Sequence, residues 1–234
     1  MLKIIILVLS YNDEGIYSKF FEKQRKTWDA FHVDGVQTFY FFGNHHKSEI
    51  IDNTILLDVK ETTIIKSDKN LTATNFGLKT LKAFELIENM DFDYIFRTNS
   101  SSYIDKKLLI DHIEGKSKKA HYSGFIGKHR QGFFKKSITF ASGSGFFLSK
   151  DLVRLLIANK AKWNHSLIDD VLIGSLLKEF NILPQSNPRF DVITSKIPLN
   201  YFHYRFKTQN RELDCDLMEF LFIQKKEYYK NIKG

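Results

Sequence analysis

Six consecutive aliphatic residues, Ile4-Ile5-Ile6-Leu7-Val8-Leu9, follow a lysine at position 3. An amphipathic helix or a half-exposed strand would interrupt such a run with polar residues. A strand covered on both faces needs no interruption, and strands of that kind belong to sheets sandwiched between helices. The run is shorter than the about 20 residues of a membrane span or the about 7–15 of a signal-peptide core. Ser10-Tyr11-Asn12-Asp13-Glu14 closes it. It predicts a buried strand that opens the fold.

The rest of the chain alternates in the same sense. Helical spacing covers residues 17–31, 72–88, 107–113, 150–159 and 169–180, and strand patterns cover 38–42, 54–59, 93–97, 124–127 and 138–140. Gly143-Ser144-Gly145 reads as a break before Phe146-Phe147-Leu148, and an amphipathic basic helix closes the chain at about 216–233. Alternating strands and helices predict an α/β fold with a Rossmann-like, mostly parallel sheet flanked by helices. No composition shift divides the chain, so one domain over 1–234 is expected.

Composition narrows the function classes. Apolar residues at 43% and charged residues at 26% exclude a largely disordered chain. The single cysteine, Cys215, excludes a disulfide framework and a zinc site built from several thiolates. Together with the absence of a membrane-length apolar run, it fits a soluble, cytoplasmic protein. Lysine and arginine total 35 against 27 acidic residues, a net charge of +8. That excess suits a solvated basic surface, a phosphorylated substrate or an anionic membrane face. Its clusters, at 116–119, 135–136 and 225–233, match no zinc finger or P-loop, and no nucleic-acid partner is expected. Leu217, Phe220 and Phe222 followed by Lys225, Lys226, Tyr229 and Lys230 suit either a helix packed on the core or peripheral docking on a membrane.

In open α/β sheets, ligands bind at the carboxyl ends of the strands. Arg97-Thr98-Asn99-Ser100-Ser101-Ser102 follows a strand there, Ser142-Gly143-Ser144-Gly145 precedes a strand-helix unit, and Asp169-Asp170 opens a helix. With Gln24-Arg25-Lys26-Thr27-Trp28 upstream, and with Ile168-Asp169-Asp170-Val171-Leu172-Ile173-Gly174 closing the series, the chain resembles the β-1,3-galactosyltransferase and fringe-like glycosyltransferases, a family-31-like group. The matched order covers roughly residues 3–185. The resemblance implies a GT-A fold and sugar transfer from a nucleotide-sugar donor, a UDP-sugar by preference, to a glycan or lipid-linked glycan hydroxyl.

The resemblance also assigns roles. Inverting transfer needs a carboxylate to take the acceptor proton, and in the family it comes from the block matched by Asp169 and Asp170. Gly143, Ser144 and Gly145, with Trp163 stacking on a sugar face, would meet the acceptor. Arg25, Arg97 and the loop Asn99, Ser100, Ser101 would meet the donor. Family members place carboxylates in that loop to hold a divalent metal. Amide and hydroxyl groups are weak ligands for Mn²⁺ or Mg²⁺, so no metal residue is assigned, and a divalent metal, Mn or Mg, stays open as a cofactor without its usual carboxylate ligands. The charge of a leaving diphosphate would then fall to cations. Alternation in Tyr201 to Lys207 would put His203, Arg205 and Lys207 on one face, either as a diphosphate clamp or as the solvated face of an edge strand. Loss of the acidic loop leaves a second expectation open: a catalytically degenerate glycan- or nucleotide-sugar-binding protein on the same scaffold.

Overall fold

The computed structural model describes residues 1–11, 15–61, 75–130 and 137–232. The glycosylation-type triplet Asn70-Leu71-Thr72, the front of the expected helix 72–88 and the 135–136 lysine pair lie outside the described residues.

The strands in chain order are β1 (Ile4–Leu9), β2 (Val36–Phe42), β3 (Glu49–Ile51), β4 (Thr54–Leu56), β5 (Tyr94–Asn99), β6 (Ser102–Ile104), β7 (Tyr122–His129), β8 (Ile138–Ser149), β9 (Gln185–Ser186), β10 (Phe190–Val192) and β11 (His203–Phe206). The helices are α1 (Ile16–Lys26), α2 (Phe76–Ile87), α3 (Lys106–Ile113), α4 (Lys150–Ala158), α5 (Asp169–Glu179) and α6 (Arg211–Ile232). One sheet runs in the order β3-β4-β2-β1-β5-β8-β7-β9, and a second runs β10-β11-β6. The central block β4-β2-β1-β5 is parallel, while β8 is antiparallel to both β5 and β7. This is the mostly parallel, helix-flanked α/β sheet that the opening run demands.

β1 explains the layering. Ile5 and Leu7 enter one core, built with Leu81 and Phe84 of α2, Leu152 and Leu156 of α4, and Leu172 and Leu176 of α5. Ile4, Ile6 and Val8 enter the other, with Phe20 of α1, Leu109 and Ile113 of α3, and Met218 and Leu221 of α6. Successive residues of a strand face opposite sides, so an all-aliphatic strand is the one that can be roofed twice. Each such buried side chain contributes about 1.5–3 kcal/mol of transfer free energy.

Three boundaries differ from the sequence expectation, each for a local reason. The helix over 17–31 stops at Lys26, where Thr27 Oγ1 donates to the Lys23 carbonyl at 2.6 Å; a short 3₁₀ turn, Trp28–Ala30, follows. The expected break at Gly143 to Gly145 falls inside β8 as an irregularity of the ladder: the register against β7 jumps from Gly124 opposite Phe146 to Ile126 opposite Ala141, and the strand itself runs on to Ser149. The last helix starts at Arg211, because the Asn210 side chain accepts the backbone N–H groups of Glu212 (2.9 Å) and Leu213 (3.3 Å) as an N-cap. No helix among the described residues is long and apolar enough to cross a membrane.

Candidate active site at the carboxyl ends of β1 and β5

β1 and β5 are parallel neighbours and end side by side, with Leu9 opposite Asn99. Arg97 projects from β5 into a site with almost no solvent, at 1% exposure. Its Nη2 donates to Asp169 Oδ2 and its Nη1 to the Gly143 carbonyl. Thr80 of α2 donates to the same Asp169 oxygen at 2.9 Å. Next to Thr80 on α2, Lys79 pairs with Glu61 and donates to the Ser10 carbonyl at 2.6 Å, just beyond β1. Burial holds the Lys79 ammonium below its ordinary range, against the pull of Glu61. Two buried ion pairs therefore brace the ends of the central strands.

Asp170 is placed differently from its neighbour. Among the described residues no cationic side chain is bonded to it. Its Oδ2 accepts the Gly143 backbone N–H at 2.6 Å and its Oδ1 accepts the Val171 N–H at 2.8 Å. Burial, and then the charge of Asp169 beside it, push its carboxyl up from 3.8 to about 6. Ionised, it keeps two of its four lone-pair sites for another donor.

Gly143 and Gly145 are needed where they stand. A Cβ on Gly143 would lie 3.0 Å from both Arg97 Nη1 and Asp170 Oδ2. A Cβ on Gly145 would lie 2.4 Å from His203 Cε1 and 2.6 Å from Phe96 Cζ. Between them, the Ser144 carbonyl accepts from Thr98 Oγ1 (2.6 Å) and Ser102 Oγ (3.0 Å). The Ser144 hydroxyl accepts from Arg189 Nη1 at 2.7 Å.

The polar loop after β5 is closed on itself. Asn99 Oδ1 accepts from Ser101 N (3.2 Å), Ser101 Oγ (3.1 Å) and Ser102 Oγ (3.2 Å), and Ser100 Oγ donates to the Leu9 carbonyl at 3.2 Å. This neutral set, with its hydroxyls and amide oxygen already engaged, does not fit a hard dication. Among the described residues no cluster of three or more His, Cys, Asp or Glu could hold a metal.

Positive charge gathers on the second sheet instead. Arg189, its side chain 4% exposed, makes two bonds to Asp191, from Nε at 2.7 Å and from Nη2 at 3.2 Å. Arg205 on β11 pairs in register with Ser102 of β6, and its buried Nε has no hydrogen-bond partner among the described residues. Burial, and then the nearby Arg189 charge, lower its affinity for a proton, while Asp191 and Asp170 oppose this. Lys207 is exposed and reaches Asp191 at 3.2 Å. His203 is not a cation here. Its ring is buried against Phe96, with Ser102 Oγ at 3.3 Å, and burial followed by the Arg189 charge depresses it to about 3. β11 is the middle strand of its sheet, so the edge-strand reading is corrected.

Two expected residues stand elsewhere. Arg25 is exposed on α1 with its guanidinium over Phe21 at 5.6 Å; the residue of that helix that reaches the polar loop is Gln24, donating to the Asn99 (3.2 Å) and Ser102 (2.9 Å) carbonyls. Trp163 is 5% exposed and gives its indole N–H to the Leu156 carbonyl at 3.1 Å, which makes it a core residue with little ring face for a sugar. Gln24 stood in the Gln24 to Trp28 segment but was given no role there; Lys79, Thr80 and Arg189 carried no motif signal, and of these only Lys79-Thr80 could have been found, as a basic-hydroxyl pair inside a predicted apolar helix.

With the geometry in place, the comparisons decide the lineage. The galactosyltransferase family model matches residues 22–188. The chain belongs to the galactosyltransferase family. In this galactosyltransferase-family protein the match includes Arg97, the polar loop, the β8 glycines and the Asp169-Asp170 pair, and stops one residue before Arg189. No match was found among curated proteins. Solved structures share the fold. A glycosyltransferase involved in the glycosylation of the major capsid of PBCV-1 is 13% identical, with coverage of 93% of this chain and 98% of that one and a TM-score of 0.52. The 4-diphosphocytidyl-2C-methyl-D-erythritol synthase from Anaerococcus prevotii is 8% identical, with coverage of 94% and 96% and a TM-score of 0.51. The scaffold is thus one shared by glycosyltransferases and nucleotidyltransferases.

Proposed function

We propose that this protein transfers a sugar from a nucleotide-sugar donor, a UDP-sugar by preference, to a glycan hydroxyl with inversion, and that Asp170 is the general base. The observation that carries the proposal is the contrast between two adjacent carboxylates. Asp169 is spent on Arg97 and Thr80. Asp170 is raised to about 6, which suits a group that must be ionised near neutral pH and still accept a proton. In the proposed step the acceptor oxygen forms its bond to the anomeric carbon and gives its proton to an Asp170 oxygen. The bond from that carbon to the nucleoside diphosphate breaks, and its electron pair leaves with the diphosphate.

The leaving charge needs compensation. Arg205, Arg189 and Lys207 offer it without a metal, and preorganised cations of this kind stabilise charge that develops in the transition state. Support for this part comes from the neutral Asn99 to Ser101 loop and from the unpartnered Arg205 Nε.

A thermal-shift screen of nucleotide sugars with manganese or with chelator, followed by a transfer assay on the best donor, tests the proposal. A stabilising donor that persists in chelator, with turnover lost in Asp170→Asn, is expected. The neutral loop also favours a second reading, a glycan- or nucleotide-sugar-binding protein without turnover. Donor binding with no transfer to any acceptor would establish that reading in place of the first.

A further inference from the structure

A cavity of about 260 Å³ opens between the Trp28–Ala30 turn, β6 and the last turns of α6, and no residue of the candidate active site lines it. Trp28, Phe31, Val33, Tyr103 and Ile104 give it apolar walls. A closed apolar cavity of about 150 Å³ already takes a benzene molecule, so this one has room for several carbons. Five lysines stand around it, and Asp105 is the one carboxylate in its lining. Lys225 is neutralised by Asp105 at 2.6 Å, and Lys106 by Asp29 at 2.7 Å. Lys107, Lys226 and Lys230 have no ion pair among the described residues; Lys107 lies 4.6 Å over the Tyr229 ring and Lys226 4.8 Å over Phe222. The buried Trp28 indole N–H has no hydrogen-bond partner among the described residues, although nearly all buried donors in proteins have one.

Two exposed apolar side chains adjoin this region. Phe31, in the cavity wall, is 39% exposed, and Ile223 of α6 is 51% exposed. Ile223, Lys226 and Lys230 are spaced three and four residues apart, which puts them on one helical face. An apolar pocket with a cationic mouth, beside a helix face that mixes apolar and lysine residues, matches an amphiphile with a negative head. A free phosphate would satisfy the lysines and leave the aromatic walls without a partner.

We propose that this cavity holds the phosphate headgroup and first chain carbons of an anionic membrane lipid, docking the protein on the membrane surface through Phe31 and Ile223. β6 is three residues long and follows directly on the Asn99 to Ser101 loop. At about 3.3 Å per residue, the docking site lies roughly 10 Å of chain from the donor loop, so a membrane-borne acceptor would be delivered beside the site.

The test uses the full chain with three probes: vesicles of phosphatidylcholine with or without phosphatidylglycerol, dihexanoylphosphatidylglycerol below its micellar concentration, and inorganic phosphate. Co-sedimentation with the anionic vesicles only is expected, weakened about 30-fold in the exposed double variant Lys226→Ala/Lys230→Ala. The short-chain lipid should shift tryptophan emission, and inorganic phosphate at the same concentration should not. Equal sedimentation with pure phosphatidylcholine would overturn the proposal. So would unchanged binding by the double variant, an emission change with phosphate alone, or preferential salt-sensitive binding of single-stranded RNA. None of these readouts depends on sugar transfer, so the outcome is separate from the fate of the proposed activity.

Discussion

Arg97 and Asp169 meet as an ion pair whose side chains are 2% and 6% exposed. The pair joins β5 to α5, and its other guanidinium arm holds the Gly143 carbonyl of β8. A buried charge stripped of its partner is far more costly than the pair is beneficial. Arg97→Ala is expected to lose about 3–5 kcal/mol of unfolding free energy. Arg97→Lys should lose less, keeping the charge but not the two-armed fork. Urea unfolding measures both; an Arg97→Ala midpoint equal to the parent's would show that the pair is not enclosed.

Asp170 sets a pH dependence. In its proposed role as base it must be ionised, so kcat/KM should climb with pH through about 6 and level off above. Asp170→Asn should lower turnover about 10²–10⁴-fold, with Asp169→Asn much less damaging to kcat. The stability sign follows from the same shift. A carboxyl raised above its ordinary 3.8 favours the folded state most at low pH, and that contribution fades as pH passes about 6. The urea midpoint of the parent minus that of Asp170→Asn should therefore fall between about pH 4.5 and about pH 7.5. A flat rate profile across this range would remove Asp170 from the role.

Arg205 and Arg189 are expected to act on the donor. A hydrogen bond to a charged group contributes about 1.5–3 kcal/mol, so Arg205→Gln should raise the donor KM roughly 10- to 150-fold. Added salt should weaken donor binding more in the parent than in the variant. Arg189→Gln frees the Ser144 hydroxyl as well and should affect both KM and kcat. An unchanged donor KM in both variants would place the diphosphate elsewhere.

Much of this was legible in advance where the signal is local. The aliphatic run of β1, the helix that starts at Asp169 and the polar loop after β5 each follow from neighbouring residues. The site's supports are not local. Thr80 reaches Asp169 across 89 positions and Gln24 reaches Ser102 across 78, and no short-range pattern encodes such contacts. Arg25 was the visible residue in its motif, yet the helix turns its neighbour Gln24 inward. Gly143 to Gly145 carried the signal of a break, and β8 shifts register against β7 there; what the sequence could not show is that Arg97, Asp170 and His203 occupy the space a side chain would fill.

Those absent side chains yield a further expectation. Gly145→Ala forces its new methyl group into His203 and Phe96. Overpacking of this kind costs about 1–3 kcal/mol, or roughly 2–12 °C in melting temperature for a chain of this size. Differential scanning calorimetry should show the drop, and no drop would mean that His203 moves aside freely.

The reach of the Arg97–Asp169 pair along the chain has a consequence during synthesis. The two residues are 72 positions apart. At about 5–20 residues per second, a ribosome takes roughly 4–14 s to make the aspartate after the arginine. Over that interval β5 carries a guanidinium with no counter-charge to bury beside it, so the half-made sheet has reason to stay open on that side. The nascent protein can assemble β1 against β2 early, but the brace at the ends of β5 and β8 forms only when α5 arrives, and Arg189 and Arg205 reach the same region later still, from the chain beyond α5.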